Sequence, residues 1–124
     1  MEIRKFKDES LKNYTIVNDW NYNKRGFYHE SILLCGNAEI ERSRIQYINR
    51  TWECYSFQTS MLSVVSKAME HWRKFYLNRF KADHEYKKMN IERKNEFEAY
   101  FNSIPEVITY NKMISELNLY RTGA

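Results

Sequence analysis

The chain has 124 residues, 43% hydrophobic and 16% aromatic, which excludes a disordered polymer and is enough for a real core in a single domain spanning 1–124. Three glycines and one proline leave little material for turns, which favours long helices over a sandwich of many short strands. A net charge of +4 with a pI near 9.0 suits an anionic partner and equally suits plain solubility.

In chain order, residues 1–12 mix charges with only Ile3, Phe6 and Leu11 apolar, and read as an arm or short edge element. Tyr14-Thr15-Ile16-Val17-Asn18 is β-branched and aromatic and reads as a first strand, broken by the turn-rich Asn21 to Gly26. Phe27 to Cys35 reads as a second strand and Ala38 to Ile48 as a third, joined at Gly36-Asn37, a pair that tolerates positive φ in a tight hairpin. In the second strand Tyr28, Ile32 and Leu34 share one face with Glu30, while His29, Leu33 and Cys35 share the other. The alternation leaves open which face is buried.

The repeat then changes from two to 3.6. Cys54, Phe57, Met61, Val65, Ala68, Trp72, Phe75 and Phe80 mark one side of a helix from Trp52 to about Lys81, with Thr51 as its N-cap and Glu53 at the positive end of its dipole. Such a helix is about 45 Å long at about 1.5 Å per residue, and is the spine of the domain. Trp52 and Trp72 are its expected anchors. Lys81-Ala82-Asp83 is the expected break, with Asp83 able to cap a second helix whose apolar positions are Tyr86, Met89, Phe97, Tyr100, Phe101 and Ile104. Ser103-Ile104-Pro105-Glu106 combines a capping-box pattern with Pro in the first turn, so a last helix runs from Pro105 to about Leu119 and buries Val107, Ile108, Ile114 and Leu117. The expected fold is α+β: about three antiparallel strands followed by a long helix and two further helices.

Three groups of residues carry possible chemistry. Between Lys67 and Lys94 nine cations (Lys67, Arg73, Lys74, Arg79, Lys81, Lys87, Lys88, Arg93, Lys94) face four acids (Glu70, Asp83, Glu85, Glu92). Cations on helices with Tyr76 and Tyr86 beside them can follow a phosphate backbone by charge and stacking. The alternative is a solvated helix face with ion pairs such as Glu70 to Lys74. Glu70-His71 and Asp83-His84-Glu85 set carboxylates beside imidazoles, the chemistry of a small metal-dependent nuclease. Sequence neighbours on a helix diverge, however, and no histidine has an HExxH-type partner. No phosphate-binding glycine loop, nucleophile elbow or cysteine ligand set is present, so no catalytic residue, metal or cofactor is assigned.

The third group is Asn49-Arg50-Thr51-Trp52-Glu53, continued by Tyr55, Phe57 and Gln58, which on its own chemistry is a strand-to-helix corner. Together with Gly26-Phe27-Tyr28-His29 it resembles small accessory proteins of phages and mobile elements in low-GC bacteria, some of which block CRISPR–Cas nucleases. The likeness covers the central third of the chain and transfers no binding residues. It implies a non-enzymatic module in the cytoplasm of a bacterial host, with a nucleoprotein partner such as a Cas nuclease carrying its guide RNA. The other reading is a DNA- or RNA-binding accessory or regulatory protein that uses the basic helices directly.

No apolar run reaches the length of a membrane span or a signal core, and Cys35 and Cys54 fall on different elements without ligand spacing. Thiol titration of the denatured, non-reduced protein is expected to find both cysteines free; finding none would show that they are paired.

Overall fold

Residues 26–35 form the strand on which the sheet is assembled. In the computed structural model, which describes residues 1–47, 57–83 and 91–121, β3 (Gly26–Cys35) pairs antiparallel with β2 (Tyr14–Asn23) on one side and β4 (Ala38–Tyr47) on the other. The charged arm at the start supplies a short edge strand, β1 (Glu2–Lys5), paired with residues 15–18 of β2. The sheet is therefore four-stranded in the order β1-β2-β3-β4, one strand more than the sequence pattern indicates, because Ile3 alone alternates too weakly to announce a strand. A 3-10 turn at Glu9–Leu11 drops Leu11 into the core, and Asp8 caps it by accepting the Ser10 amide at 2.8 Å.

Both hairpins close where turn chemistry allows, and one closes later than expected. Gly36 sits at φ +59, the left-handed turn conformation that the Gly36-Asn37 pair predicts. The first hairpin does not break at Asn21. Pairing continues through Tyr22↔Phe27 to Asn23↔Gly26, and only Lys24 and Arg25 turn, with the Arg25 amide donating to Asn23 Oδ1 at 2.9 Å. Cross-strand aromatic pairing outweighs the turn preference of the asparagines here.

The buried face is the one carrying His29, Ser31 and Leu33, opposite Asn18 and Ile16 on β2 and Ser43 on β4. Helix α1 (Gln58–Asp83) lies across it. A row of polar contacts joins the two layers: Ser31 Oγ donates to Asn18 Oδ1 at 2.6 Å and meets Ser60 Oγ at 2.7 Å, while Ser43 Oγ meets Ser63 Oγ at 2.7 Å. Each hydroxyl is satisfied, which is why serines rather than aliphatics can fill the middle of the interface. Phe6, Leu11, Ile16, Leu33, Met61, Val64, Val65, Ala68, Tyr110, Met113 and Leu117 pack around this row as the main core.

α1 extends through Asp83 and so ends within the break expected at Lys81-Ala82-Asp83, with Phe80 anchored against Phe97. Helix α2 (Ile91–Asn102) and helix α3 (Pro105–Arg121) follow, α3 opening at Pro105 as the sequence predicts. The Ser103 hydroxyl does not complete a capping box. It turns back to donate to the Tyr100 carbonyl at 2.6 Å. A second, ring-rich core joins Phe80, Phe97, Phe101, Ile104 and Val107, with Met69 and Trp72 touching both cores. Trp72 is thus the anchor it was expected to be. Phe75 is not: it is 54% exposed, because α1 has by then run past the layer it packs on. Ile108 is also exposed, since a residue next to the buried Val107 points about 100° away around the axis. The expected Thr51 cap, Glu53, the Trp52 anchor and Cys54, together with Tyr86 and Met89, lie outside the described residues.

Ser31→Ala would leave Asn18 Oδ1 short of a partner in a site with no exposure to water, while Ser60 Oγ keeps the Phe57 carbonyl at 3.1 Å, and should cost about 1–3 kcal/mol in denaturant unfolding. An unchanged midpoint would show that the polar row does not hold the layers together.

Candidate nucleic-acid or nucleoprotein interface

The nine cations fall into three groups once the fold is known. The first group is spent on holding the fold. Lys67 donates to the Arg42 carbonyl at 2.9 Å and lies 3.5 Å from Glu41, so it fastens α1 to β4. The Arg73 guanidinium pairs with Glu98 on α2 and with Glu70 at 3.4 Å, and sits 4.5 Å over the Phe101 ring. Glu70 therefore pairs with Arg73 and not with Lys74 as the i, i+4 spacing suggests. The chain folds α2 back onto that side of α1, and the arginine fork reaches two carboxylates and a ring at once. Arg93 pairs with Glu96 at 2.7 Å.

The second group is unspent. Lys74, Arg79, Lys81 and Lys94 make no ion pair among the described residues, and all but the half-buried Lys81 are exposed. On a helix of 3.6 residues per turn Lys74 and Lys81 lie within about 20° of each other, while Arg79 lies about 140° from Lys74 and about 40° from Phe75. The far part of α1 thus carries a lysine edge and, across its crest, an arginine beside an exposed ring. Phe75 stands edge-on to Tyr76 at 5.1 Å and to Trp72 at 6.2 Å, and Tyr100, 43% exposed, stacks on Phe80 at 6.3 Å. These rings widen the surface around the cations. Lys87 and Lys88, the third group, lie outside the described residues.

The imidazoles are dispersed. His71 Nε2 lies 2.7 Å from Glu41 Oε2, a carboxylate from β4 and not its sequence neighbour Glu70. His29 is buried under the sheet with its ring 4.6 Å from that of Phe57, and His84 lies outside the described residues. Among the described residues no group of three or more His, Cys, Asp or Glu side chains is placed to hold a metal ion. Cys35 is a free thiol. No helix of the described residues is long and apolar enough to cross a membrane.

A second exposed cluster was not legible as a site in the sequence. At the far end of the β2–β3 hairpin Trp20 is 50% and Tyr22 63% exposed, and Trp20 stacks on Phe27 at 4.9 Å with the ring planes 8° apart. The available signal was the continued alternation of Ile16, Asn18, Trp20 and Tyr22, which is buried through Asn18 and exposed from Trp20 on.

Glu41 has the strongest electrostatic setting on this side of the molecule. Burial raises its carboxyl, but the Arg42 amide, Lys67 and His71 outweigh that and hold it below the ordinary carboxylate value of 4.5. A group stabilised in this way contributes to folding above its unfolded pKa and loses the contribution as pH falls through its lowered folded value. With Lys67 and His71 both well exposed, Glu41→Gln should cost only about 1 kcal/mol at neutral pH. Thermal unfolding should show the gap between wild type and variant closing below about pH 4, and a gap independent of pH would show that the carboxylate charge has no part in it.

No protein-family model, curated protein or solved structure matches this chain.

Proposed function

We propose that this protein is a non-enzymatic binding module that occupies a nucleic-acid or nucleoprotein surface through the far part of α1. The observation that carries the reading is that Lys74, Arg79 and Lys81 on α1 and Lys94 on α2 stand without a carboxylate partner among the described residues, with Phe75 exposed on α1 and Tyr100 on α2. Unpaired cations are already desolvation-ready, because no internal ion pair has to break before they meet phosphate or carboxylate. Exposed rings next to them add contact area that a merely solvating face does not need.

The resemblance of Gly26-Phe27-Tyr28-His29 and the Asn49 to Gln58 stretch to phage accessory proteins narrows the partner to a Cas nuclease with its guide RNA, and the activity to its inhibition. The unpaired cations equally favour a small accessory protein that binds DNA or RNA directly, and the two readings separate in one experiment. The protein is titrated against duplex DNA, single-stranded DNA and a guide-loaded Cas nuclease over a range of salt. Binding to the nuclease alone supports the inhibitor; binding to free nucleic acid that weakens steeply with salt supports the accessory protein.

Arg73 must be left out of any charge-reversal test, because it joins α1 to α2. Lys74→Glu with Arg79→Glu is expected to abolish association and leave the unfolding midpoint within about 0.5 kcal/mol of wild type. With a duplex partner the log-affinity against log-salt slope should flatten by about 2. Wild-type affinity in the double reversal would reduce this face to solvation.

A further inference from the structure

The β2–β3 hairpin runs on beyond the described elements that cover the rest of the sheet. β2 is buried or half-buried through Asn18 and exposed at every position from Asp19 to Asn23. β1 stops pairing at Glu2, opposite Asn18, so the outer edge of β2 is open beyond that point. On the free end Trp20 and Tyr22 stand two residues apart, on the same face and about 7 Å apart along the strand. Phe27 lies beneath both, parallel to the indole at 4.9 Å and edge-on to the Tyr22 ring at 4.7 Å.

The rings are held ready. The two strands remain in register to Asn23↔Gly26, and the tip is cross-tied by Asn23 Nδ2 to Gln46 Oε1 at 2.7 Å and by Gln46 Nε2 to the Phe27 carbonyl at 2.9 Å. A stacking partner therefore meets rings that have already lost their rotamer freedom, which removes part of the ordering cost of binding. Phe27 covers one face of the indole, and half of the Trp20 surface remains in water.

The charge around the rings selects the partner. Lys24 and Arg25 form the turn, are exposed, and have no carboxylate partner among the described residues. The only acid between Asn18 and His29 is Asp19, which accepts the Trp20 amide at 2.9 Å. The Trp20 and Tyr22 rings stand edge-on to each other, 5.9 Å apart with their planes 80° apart, so bases on the two must splay from one another, as the bases of a single strand can, and the two cations at the tip are placed for its phosphates. We infer that the hairpin tip is a stacking platform for single-stranded nucleic acid, with bases on Trp20 and Tyr22 and phosphates on Lys24 and Arg25. A duplex cannot use it, because its bases are already stacked on each other. This surface is separate from the α1 face and stands whether or not that face binds.

The test is fluorescence anisotropy of a labelled oligothymidylate with the intact chain, alongside the same length of duplex. Trp20→Ala with Tyr22→Ala should weaken single-strand binding by about 100-fold, taking roughly tenfold for each stacked base. Trp20→Phe should stay within about threefold, since a ring is kept, and thermal midpoints should show all variants folded. Lys24→Glu with Arg25→Glu should weaken binding and flatten its salt dependence. Unchanged affinity in the folded ring-less double variant overturns the inference, as does binding confined to a protein partner. Loss only with Lys74→Glu and Arg79→Glu overturns the hairpin platform and leaves the α1 reading; loss only with the hairpin variants does the reverse.

Discussion

The polar row between sheet and helix sets the geometry of the rest. Apolar burial holds α1 against the sheet but is indifferent to a small slide or rotation, since it depends on area and has no direction. Asn18, Ser31 and Ser60 in one contact and Ser43 with Ser63 in the other favour one placement, because a shift takes Ser60 from Ser31 and Ser63 from Ser43. From that placement follows the path of α1 across β3 and β4, its tie at Lys67 to β4, and the overhang of its second half. The overhang is what gives α2 a surface to fold back on and what leaves Phe75 and Arg79 beyond the sheet.

Much of this was legible in the residues and some was not, for identifiable reasons. Gly36-Asn37 and Pro105 mark their boundaries to the residue because each has local chemistry that few other positions satisfy. The buried phase of β3 was ambiguous, because hydrophobicity alone favours neither face: Ser31 and His29 are buried only because α1 brings partners to them. Phe75 and Ile108 have the right residue type at plausible spacing, but Phe75 stands clear of the layer beneath α1 and Ile108 points about 100° away from the buried Val107. The same holds for Trp20 and Tyr22, whose alternation continues into water.

The candidate site divides along the same line. Which residues carry charge is written in the sequence, but which charges are free is a tertiary property. Lys67 finds Glu41 and Arg73 finds Glu98, each across a separation of about two dozen residues that no periodicity reveals. With those two and Arg93 set aside, the cations of that run that make no ion pair among the described residues are Lys74, Arg79, Lys81 and Lys94. The two exposed surfaces also differ in kind. The α1 surface is set by cations on a helix, whereas the hairpin tip is set by a cluster of three rings. They lie towards opposite ends of α1, since Phe57 sits beside His29 and Arg79 more than five turns further on, or about 33 Å.

Helix α2 is held by the ring-rich cluster and by Arg73, and it makes no strand pairing with the sheet. It is therefore the element that can detach as a unit while the polar row and the main core stay intact. Detachment would uncover Phe80, Phe97 and Phe101 and release the Arg73 guanidinium from Glu98. The charge presented by α1 is thus coupled to a sub-global opening: a partner that draws on Arg73 would capture the open form, and its apparent affinity would carry the free energy of lifting α2.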